Sequence, residues 1–340
     1  MMGFEHSMHD MPIDLAKSLA LDPKPIISLS EGTDPRIVAG AVAAQEQGIA
    51  DIILIGAHDQ IVPLLATHGV VAGNGIEIHD PNTSSLTETF ALAYFEARKH
   101  KGMTFERASQ DVQHPLNYAA MLVRQGHATG TVNGAVETTS DVVRSALRII
   151  GKSAEAALVS SCFLIYPPNA RAMVYSDCGL VIDPNNEELA DIAIMAAKSC
   201  RDLLRETPRI AMLSFSTKGS ASHANATKVI EATKRVREIA PDLAVDGELQ
   251  FDAAFVPAIA ERKAPESAVA GHANVMVFPN LDAGNIAYKI SERIGGASAI
   301  GPILQGLSKP ANDLSRGCSA SDVTEMIAVT VLQAAGARHE

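Results

Sequence analysis

Two periodicities alternate along this chain, and that alternation limits its fold more than any other feature. Short β-branched runs are followed by longer stretches of helical spacing. KPIISL (Lys24–Leu29) reads as a strand, RIVAGAVAAQEQG as a helix stopped by glycine, and ADIILIGA as a second buried strand. Strand, helix and strand in that order make a βαβ unit. Further strands are expected in GIEIHD, ATGTVNGAV, AALVSSCFLIY, AMVYSDCGLVID, RIAMLSFS, LAVDGELQFD and ANVMVFPN, with helices in NEELADIAIMAAKSCRDLLRE and ATKVIEATKRVREIA. The first of these helices follows Asp183-Pro184-Asn185, which supplies a cap, and carries Glu187 and Glu188 where the helix dipole favours negative charge. The pattern predicts an α/β fold with doubly wound sheets and right-handed crossovers. A composition of 47% hydrophobic residues with 4% aromatics and no Trp fits cores of Ala, Val, Ile and Leu between helices and sheet.

At 340 residues the chain exceeds the usual single-domain size, so two doubly wound α/β domains with separate cores are expected. No low-complexity linker or repeat marks the boundary. Gly151-Lys152-Ser153 closes a long amphipathic stretch and precedes a new series of strands, and a second crossing is expected near Gly295-Gly296. The first domain is then 1–150, completed by 297–340, and the second is 151–296. On this reading the segment KPANDLSRGCSASD (Lys309–Asp322) and the active site lie in the interdomain cleft, where α/β enzymes commonly place their sites.

Charge and missing motifs exclude several functions. A net charge of -11, from 28 basic and 39 acidic residues, gives no field for nucleic acid or an anionic membrane, so local arginines must hold any anionic substrate. The start MMGFEHSMHDMPID has no apolar signal region and no run reaches membrane-span length, which places the chain in the cytoplasm. Cys162, Cys178, Cys200 and Cys318 are far apart without a CxxC pair and read as reduced thiols. There is no GxxxxGK[ST], no GxGxxG after the first strand, and no HExxH, which disfavours a P-loop enzyme, a nicotinamide dehydrogenase and a catalytic transition metal.

The remaining candidates each carry a structural alternative. Gly126, Gly130 and Gly134 recur every four residues before Thr138, Thr139, Ser140 and a helix bearing Arg144; they suit an anion at a helix start or a tightly packed corner. Arg98 in RKHKG is a phosphate-binding candidate or a cation complementing a helix C-terminus, with spacing favouring the latter. DGELQFDAAF holds three carboxylates that either perturb one another or are solvated at a strand end, and VFPNLDAGN reads as a turn that caps a helix. In SRGCSASD no GxSxG elbow surrounds Ser315, Arg316 is placed to project a fork from a turn, and Asp322 suits the first turn of the following helix.

Six blocks in order, SEGTDPR, RKHKG, ATGTVNGA, DGELQFDAA, FPNLDAGNIAYK and GPILQGLSKPANDLSRGCSASD, resemble the phosphate acetyltransferases of the phosphate acetyl/butyryltransferase family over residues of about 28–330. GLSKPANDLSRGC is closer to the acetyl branch than to butyryl-type relatives. The resemblance implies reversible acetyl transfer between phosphate and coenzyme A, two α/β domains, a homodimer, small-molecule substrates only, no metal in the chemical step, and no tightly bound cofactor, coenzyme A being a substrate. It places Ser315, Arg316 and Asp322 in the catalytic positions and Arg98 and Arg144 in substrate binding. Ala320 and Ser321 stand where the family often has acidic residues, which leaves Asp322 in place. Similar domains fused to malic enzymes act as acyl-CoA-sensing modules, but this chain keeps Ser, Arg and Asp together, which favours the enzyme.

The implied chemistry suits these residue types. A thiol with a pKa of about 8.5 attacks as its thiolate, so a base must take the proton, and a carboxylate does so usefully when partly desolvated. The tetrahedral oxyanion and the departing phosphate need a hydroxyl donor and a guanidinium. Cys318 as an acyl carrier is disfavoured, because coenzyme A brings its own thiol and no histidine lies near in sequence.

Overall fold

The computed structural model describes residues 11–336. The described chain divides into two compact units, one split in sequence (residues 11–153 and 307–336) and one inserted between its halves (154–306). Residues 1–10 and 337–340, the outer ends of the expected first domain, lie outside the described residues. Among the described residues no helix is long and apolar enough to cross a membrane.

Strands β1 (Ile26–Leu29), β2 (Asp51–Ile55), β3 (Ile76–His79) and β4 (Gly130–Asn133) come first in the chain. The inserted unit contributes β5 (Ser160–Tyr166), β6 (Met173–Ser176), β7 (Arg209–Leu213), β8 (Ala244–Leu249), β9 (Val275–Val277) and β10 (Ser298–Gln305). The last is β11 (Ala311–Asp313).

The split unit is built on a parallel sheet of order β11-β4-β1-β2-β3. Its central strands are apolar on both faces, as a sheet covered by helices on two sides requires. Helix Pro35–Glu46 starts where Asp34 accepts from the Arg36 amide at 2.8 Å and Pro35 occupies the first turn, a position that needs no amide donor. It buries Ile37, Val38, Ala41 and Val42 and crosses helix Ala320–Gly336 at Gly40, where an added Cβ would stand 2.6 Å from that of Val323. Helix Ala320–Gly336 packs on helices Pro12–Ser18 and Pro35–Glu46 and on β1, β4 and β11, which explains why it is apolar around most of its circumference.

The inserted unit has a mixed sheet of order β10-β5-β6-β9-β7-β8, with β10, β5 and β6 antiparallel to their neighbours in turn and the rest parallel. Strand β10 pairs with β5 from Ser298 to Gln305, so residues 298–305 belong to this sheet and the return to the split unit follows Gly306 rather than starting at 297. The reason is that ladder pairing, a long-range contact, holds these residues. Several expected strands are shorter than their apolar runs: ATGTVNGAV contributes only Gly130–Asn133, and AMVYSDCGLVID only Met173–Ser176. The residues beyond turn over the sheet edge and satisfy their amides with side chains, as Asp177 does for Gly179, Leu180 and Val181 at 2.7, 3.0 and 3.1 Å.

Candidate active site

The chain of the split unit runs outward from β1 through β2 to β3 and then returns to the other side of β1 as β4 and β11. Strand order therefore reverses between β1 and β4, and in open α/β sheets the crevice outside the carboxyl ends at such a reversal is where ligands bind. Three loops leave those ends: Ser30–Asp34 after β1, Gly134–Thr138 after β4, and Leu314–Ser319 after β11. The last contains SRGC.

Glu31 joins the first two loops. Its buried carboxylate accepts the amides of Ala135, Val136 and Glu137 at 2.9, 2.9 and 2.8 Å. These backbone donors are thus taken by a carboxylate of the chain itself. Gly134, at φ +99°, makes that turn possible, and an added Cβ would lie 2.1 Å from Asp313 Oδ1. The four-residue glycine spacing is not one anion cradle: Gly126 ends helix Pro115–Gln125 with φ 82°, and Gly130 backs closely onto Thr330.

Arg36 joins all three loops. It forks onto Asp34 through Nε (3.0 Å) and Nη2 (2.8 Å), and Nη2 also donates to the Ala135 carbonyl at 2.9 Å. Nη1 donates to the carbonyls of Arg316 and Cys318 at 2.8 and 3.2 Å. The Arg36 hydrogen bond holds the Asp34 carboxyl below its ordinary range, and Asp34 raises the guanidinium in return. Sequence reasoning quoted SEGTDPR but missed Arg36 and Glu31, because Asp-Pro-Arg before an apolar helix reads as a helix start. The usable signal was their place in the loop after the first strand of a doubly wound sheet.

The expected catalytic residues ride on this clamped backbone. Ser315 is exposed, accepts the Gly317 amide on Oγ at 3.2 Å, and through its carbonyl accepts the Cys318 amide at 2.9 Å. Arg316 is exposed as well, and its guanidinium makes no hydrogen bond among the described residues. Asp322 Oδ2 accepts the amide and hydroxyl of Ser319 at 2.8 and 3.0 Å, while its own amide donates to Ser319 Oγ at 3.2 Å. This reciprocal cap starts helix Ala320–Gly336 and leaves Oδ1 of an exposed side chain uncommitted. Cys318 is buried, and burial pushes its thiol up despite the neighbouring Arg36.

Beneath the loop lies Asp313, which sequence reasoning did not single out. It is fully buried, bonds Thr139 Oγ1 through Oδ2 at 2.6 Å, and has no partner for Oδ1. Burial raises its carboxyl to about 7, with the charge of Glu31 adding to the effect. The Asp313–Thr139 bond ties the SRGC loop to the start of helix Thr139–Ile149. Arg144 is on that helix, exposed and paired with Asp141 and with Ser140 Oγ at 3.1 Å. Arg98 is placed otherwise: its Nη1 donates to the Arg148 carbonyl at 3.4 Å, near the far end of the same helix, about 14 Å along the axis from Thr139. The structure thus places Ser315 and Arg316 on the loop after β11 and Asp322 in the first turn of the helix that follows, ties that loop through Asp313 to the helix of Arg144, and gives Arg98 a bond to a helix C-terminal carbonyl.

The three carboxylates of DGELQFDAAF separate into independent contacts. Asp246 meets Lys218 and Arg237, the latter at 2.6 Å; Glu248 accepts Ser216 Oγ and the Gly219 amide, both at 2.8 Å; Asp252 pairs with Lys263 at 2.9 Å.

The family model for phosphate acetyl/butaryl transferase matches residues 13–331. A phosphate acetyltransferase of Paracoccus denitrificans is 47% identical over 312 residues, covering 90% of this chain and 94% of the relative. One from Acetivibrio thermocellus is 46% identical over 327 residues, covering 95% and 96%. Among solved structures, a phosphotransacetylase from Streptococcus pyogenes matches with a TM-score of 0.90 at 42% identity, over 95% of this chain and 98% of the other.

Proposed function

This chain belongs to the phosphate acetyl/butyryltransferase family, and from that premise we propose how its residues carry out the reaction. Its activity is that of a phosphate acetyltransferase: acetyl phosphate and coenzyme A are converted reversibly to acetyl-CoA and phosphate. The coenzyme A thiol attacks the acetyl carbonyl carbon in a ternary complex, and its proton passes to Asp322. With Oδ2 committed to Ser319, Oδ1 is the accepting oxygen. Attack moves charge onto the carbonyl oxygen, where the Ser315 hydroxyl donates a hydrogen bond. Ser315 Oγ already accepts from the Gly317 amide, so its proton is directed elsewhere. Collapse of the tetrahedral intermediate breaks the carbon–oxygen bond to phosphate, and Arg316 holds the departing dianion through a bidentate fork.

Arg144 serves the substrate phosphates from the helix that Asp313 anchors. Arg98 joins it by exchanging its long bond to the Arg148 carbonyl for a phosphate oxygen. The active protein is a soluble homodimer. What supports this reading most is the contrast within one loop: the side chains of Ser315 and Arg316 face outward while Arg36 fastens the backbone that carries them. Pre-organised donors stabilise a transition state without reorganising at the moment of reaction. A coupled assay of acetyl-CoA formation, run with acetyl, propionyl and butyryl phosphate, tests the function. Turnover fastest with acetyl phosphate is expected; an enzyme that binds acyl-CoA without forming it, or that prefers butyryl phosphate, overturns the acetyl assignment.

A further inference from the structure

The inserted unit has its own reversal of strand order. After β7 the chain steps outward to β8 and then returns to the other flank of β7 as β9. At the carboxyl ends of β7 and β9 lies a crevice of about 420 Å³, lined by Ser214 and Phe215 from one and Phe278, Pro279 and Asn280 from the other. Its place follows from topology. The chain leaves β7 for helix Ala224–Ile239 and leaves β9 for helix Leu281–Arg293, and the diverging loops leave a gap. The volume falls within the range of about 300–1,000 Å³ typical of small-molecule sites.

The lining has an uneven chemistry. Three of the nine phenylalanines in this Trp-free chain meet here, and Phe215 and Phe251 remain 55% and 42% exposed. Leaving two phenyl rings in water at the mouth of a crevice is unfavourable unless something apolar covers them. Gln250 donates to the Phe215 backbone carbonyl at 2.9 Å and the Phe215 ring meets His223 edge-on with centroids 6.1 Å apart, while the Phe251 ring stacks on Phe255 with centroids 5.6 Å apart. At the same crevice stand Lys228 and Asn225. Lys228 is paired at 2.7 Å with Asp183, whose side chain is mostly exposed. Asp183 also lines the crevice and the Lys228 side chain is only 19% exposed, so a phosphate reaches the ammonium by displacing this carboxylate from its open side. Asn280 uses Oδ1 to cap the Ala283 amide and keeps its amide nitrogen for another acceptor.

We propose that this crevice binds a planar heteroaromatic ring bearing phosphate, an adenine nucleotide, with the ring against Phe215 and Phe251 and a phosphate on Lys228. Phenylalanine faces suit a base that stacks, and Lys228, exchanging Asp183 for a phosphate, suits an anion beside it. Two sources carry this chemistry: the phosphorylated adenosine end of coenzyme A, an assignment that rests on the acetyltransferase reading above, or a free adenine nucleotide acting as an effector.

Calorimetric titration of the full chain with adenosine 3′,5′-bisphosphate and with AMP, alongside acetyl-CoA kinetics, tests it. Wild type is expected to bind adenosine 3′,5′-bisphosphate, and Phe215→Ala and Lys228→Ala to weaken that binding about tenfold or more, the order expected for one stacked base. Phe215→Leu keeps apolar bulk without a ring face and decides the matter should the alanine variant fold poorly. If KM for coenzyme A rises in parallel while KM for acetyl phosphate stays, the occupant is coenzyme A. If AMP binding is lost with KM for coenzyme A unmoved, the occupant is a free nucleotide. An active wild type whose nucleotide affinity and coenzyme A KM are the same in all three variants overturns the proposal. So do variants that change only the oligomeric state. Absence of turnover in wild type counts against the acetyltransferase reading alone, since nucleotide binding is measured separately.

Discussion

Replacing Arg36 by lysine isolates the value of the clamp. Arg36 makes five hydrogen bonds: two to Asp34 and one each to the carbonyls of Ala135, Arg316 and Cys318. A lysine ammonium is a single point with three donors, and its strongest partner here is the Asp34 carboxylate. Kept there, it loses the planar fork that reaches three separate carbonyls. The bond to the Arg316 carbonyl is exposed and the other two are part-buried, so with water taking the place of the guanidinium each lost bond costs at least the net value of about 0.5–1.5 kcal/mol. Three such bonds together amount to about 3 kcal/mol of loop placement. If Ser315 and Arg316 stabilise the transition state only in the clamped position, that energy appears in kcat/KM as a fall of about 100-fold, alongside a fall of a few degrees in the melting temperature. The assay is steady-state acetyl-CoA formation together with hydrogen exchange at the Gly317 and Cys318 amides, which should accelerate with the loss of rate. Exchange that accelerates with kcat/KM within twofold of wild type would show that the reaction does not depend on the clamped loop. Unchanged exchange would show that the clamp does not hold it.

Asp322→Asn preserves an oxygen acceptor for Ser319, so helix capping and thermal stability should change by less than about 1 kcal/mol while turnover collapses; stopped-flow turnover near wild type would return Asp322 to a capping role alone. Cys318→Ala should keep most activity, since burial holds the thiol up and away from its reactive form, and labelled phosphate should exchange into acetyl phosphate only when coenzyme A is present. Exchange without coenzyme A that vanishes in the variant would make Cys318 an acyl carrier. Asp313 has a carboxyl raised from 3.8 to about 7, so its neutral form is the one the fold prefers. Its contribution is complete below about pH 4, declines as pH rises toward 7, and is lost above that, by on the order of a few kcal/mol. Thermal melts from pH 5 to 8 should therefore fall less steeply for Asp313→Asn than for wild type, and parallel curves would refute the neutral assignment.

Local pattern determined much of this protein. Alternating periods identified the α/β class, and Asp183-Pro184-Asn185 announced a helix cap that the structure supplies through Asn185, as part of a capping box with Glu188. The strands of both sheets were legible wherever apolar runs were continuous, as in IISL and DIILI. The six ordered blocks carried the family, because a series of short motifs in order is far more specific than any one of them. What sequence left open was every decision made by contacts distant in the chain. Whether 298–305 ends one unit or begins the other depends on its ladder with β5, more than a hundred residues earlier. Asp34-Pro35-Arg36 is a helix start by local rules, and only folding brings the Arg36 fork to carbonyls some 280 residues away. Glu31 and Asp313 look like ordinary loop and strand-end acids. Burial leaves one ligated by three amides and the other with its carboxyl raised to about 7, because the solvation that governs a carboxyl is set by the neighbours that tertiary structure packs around it.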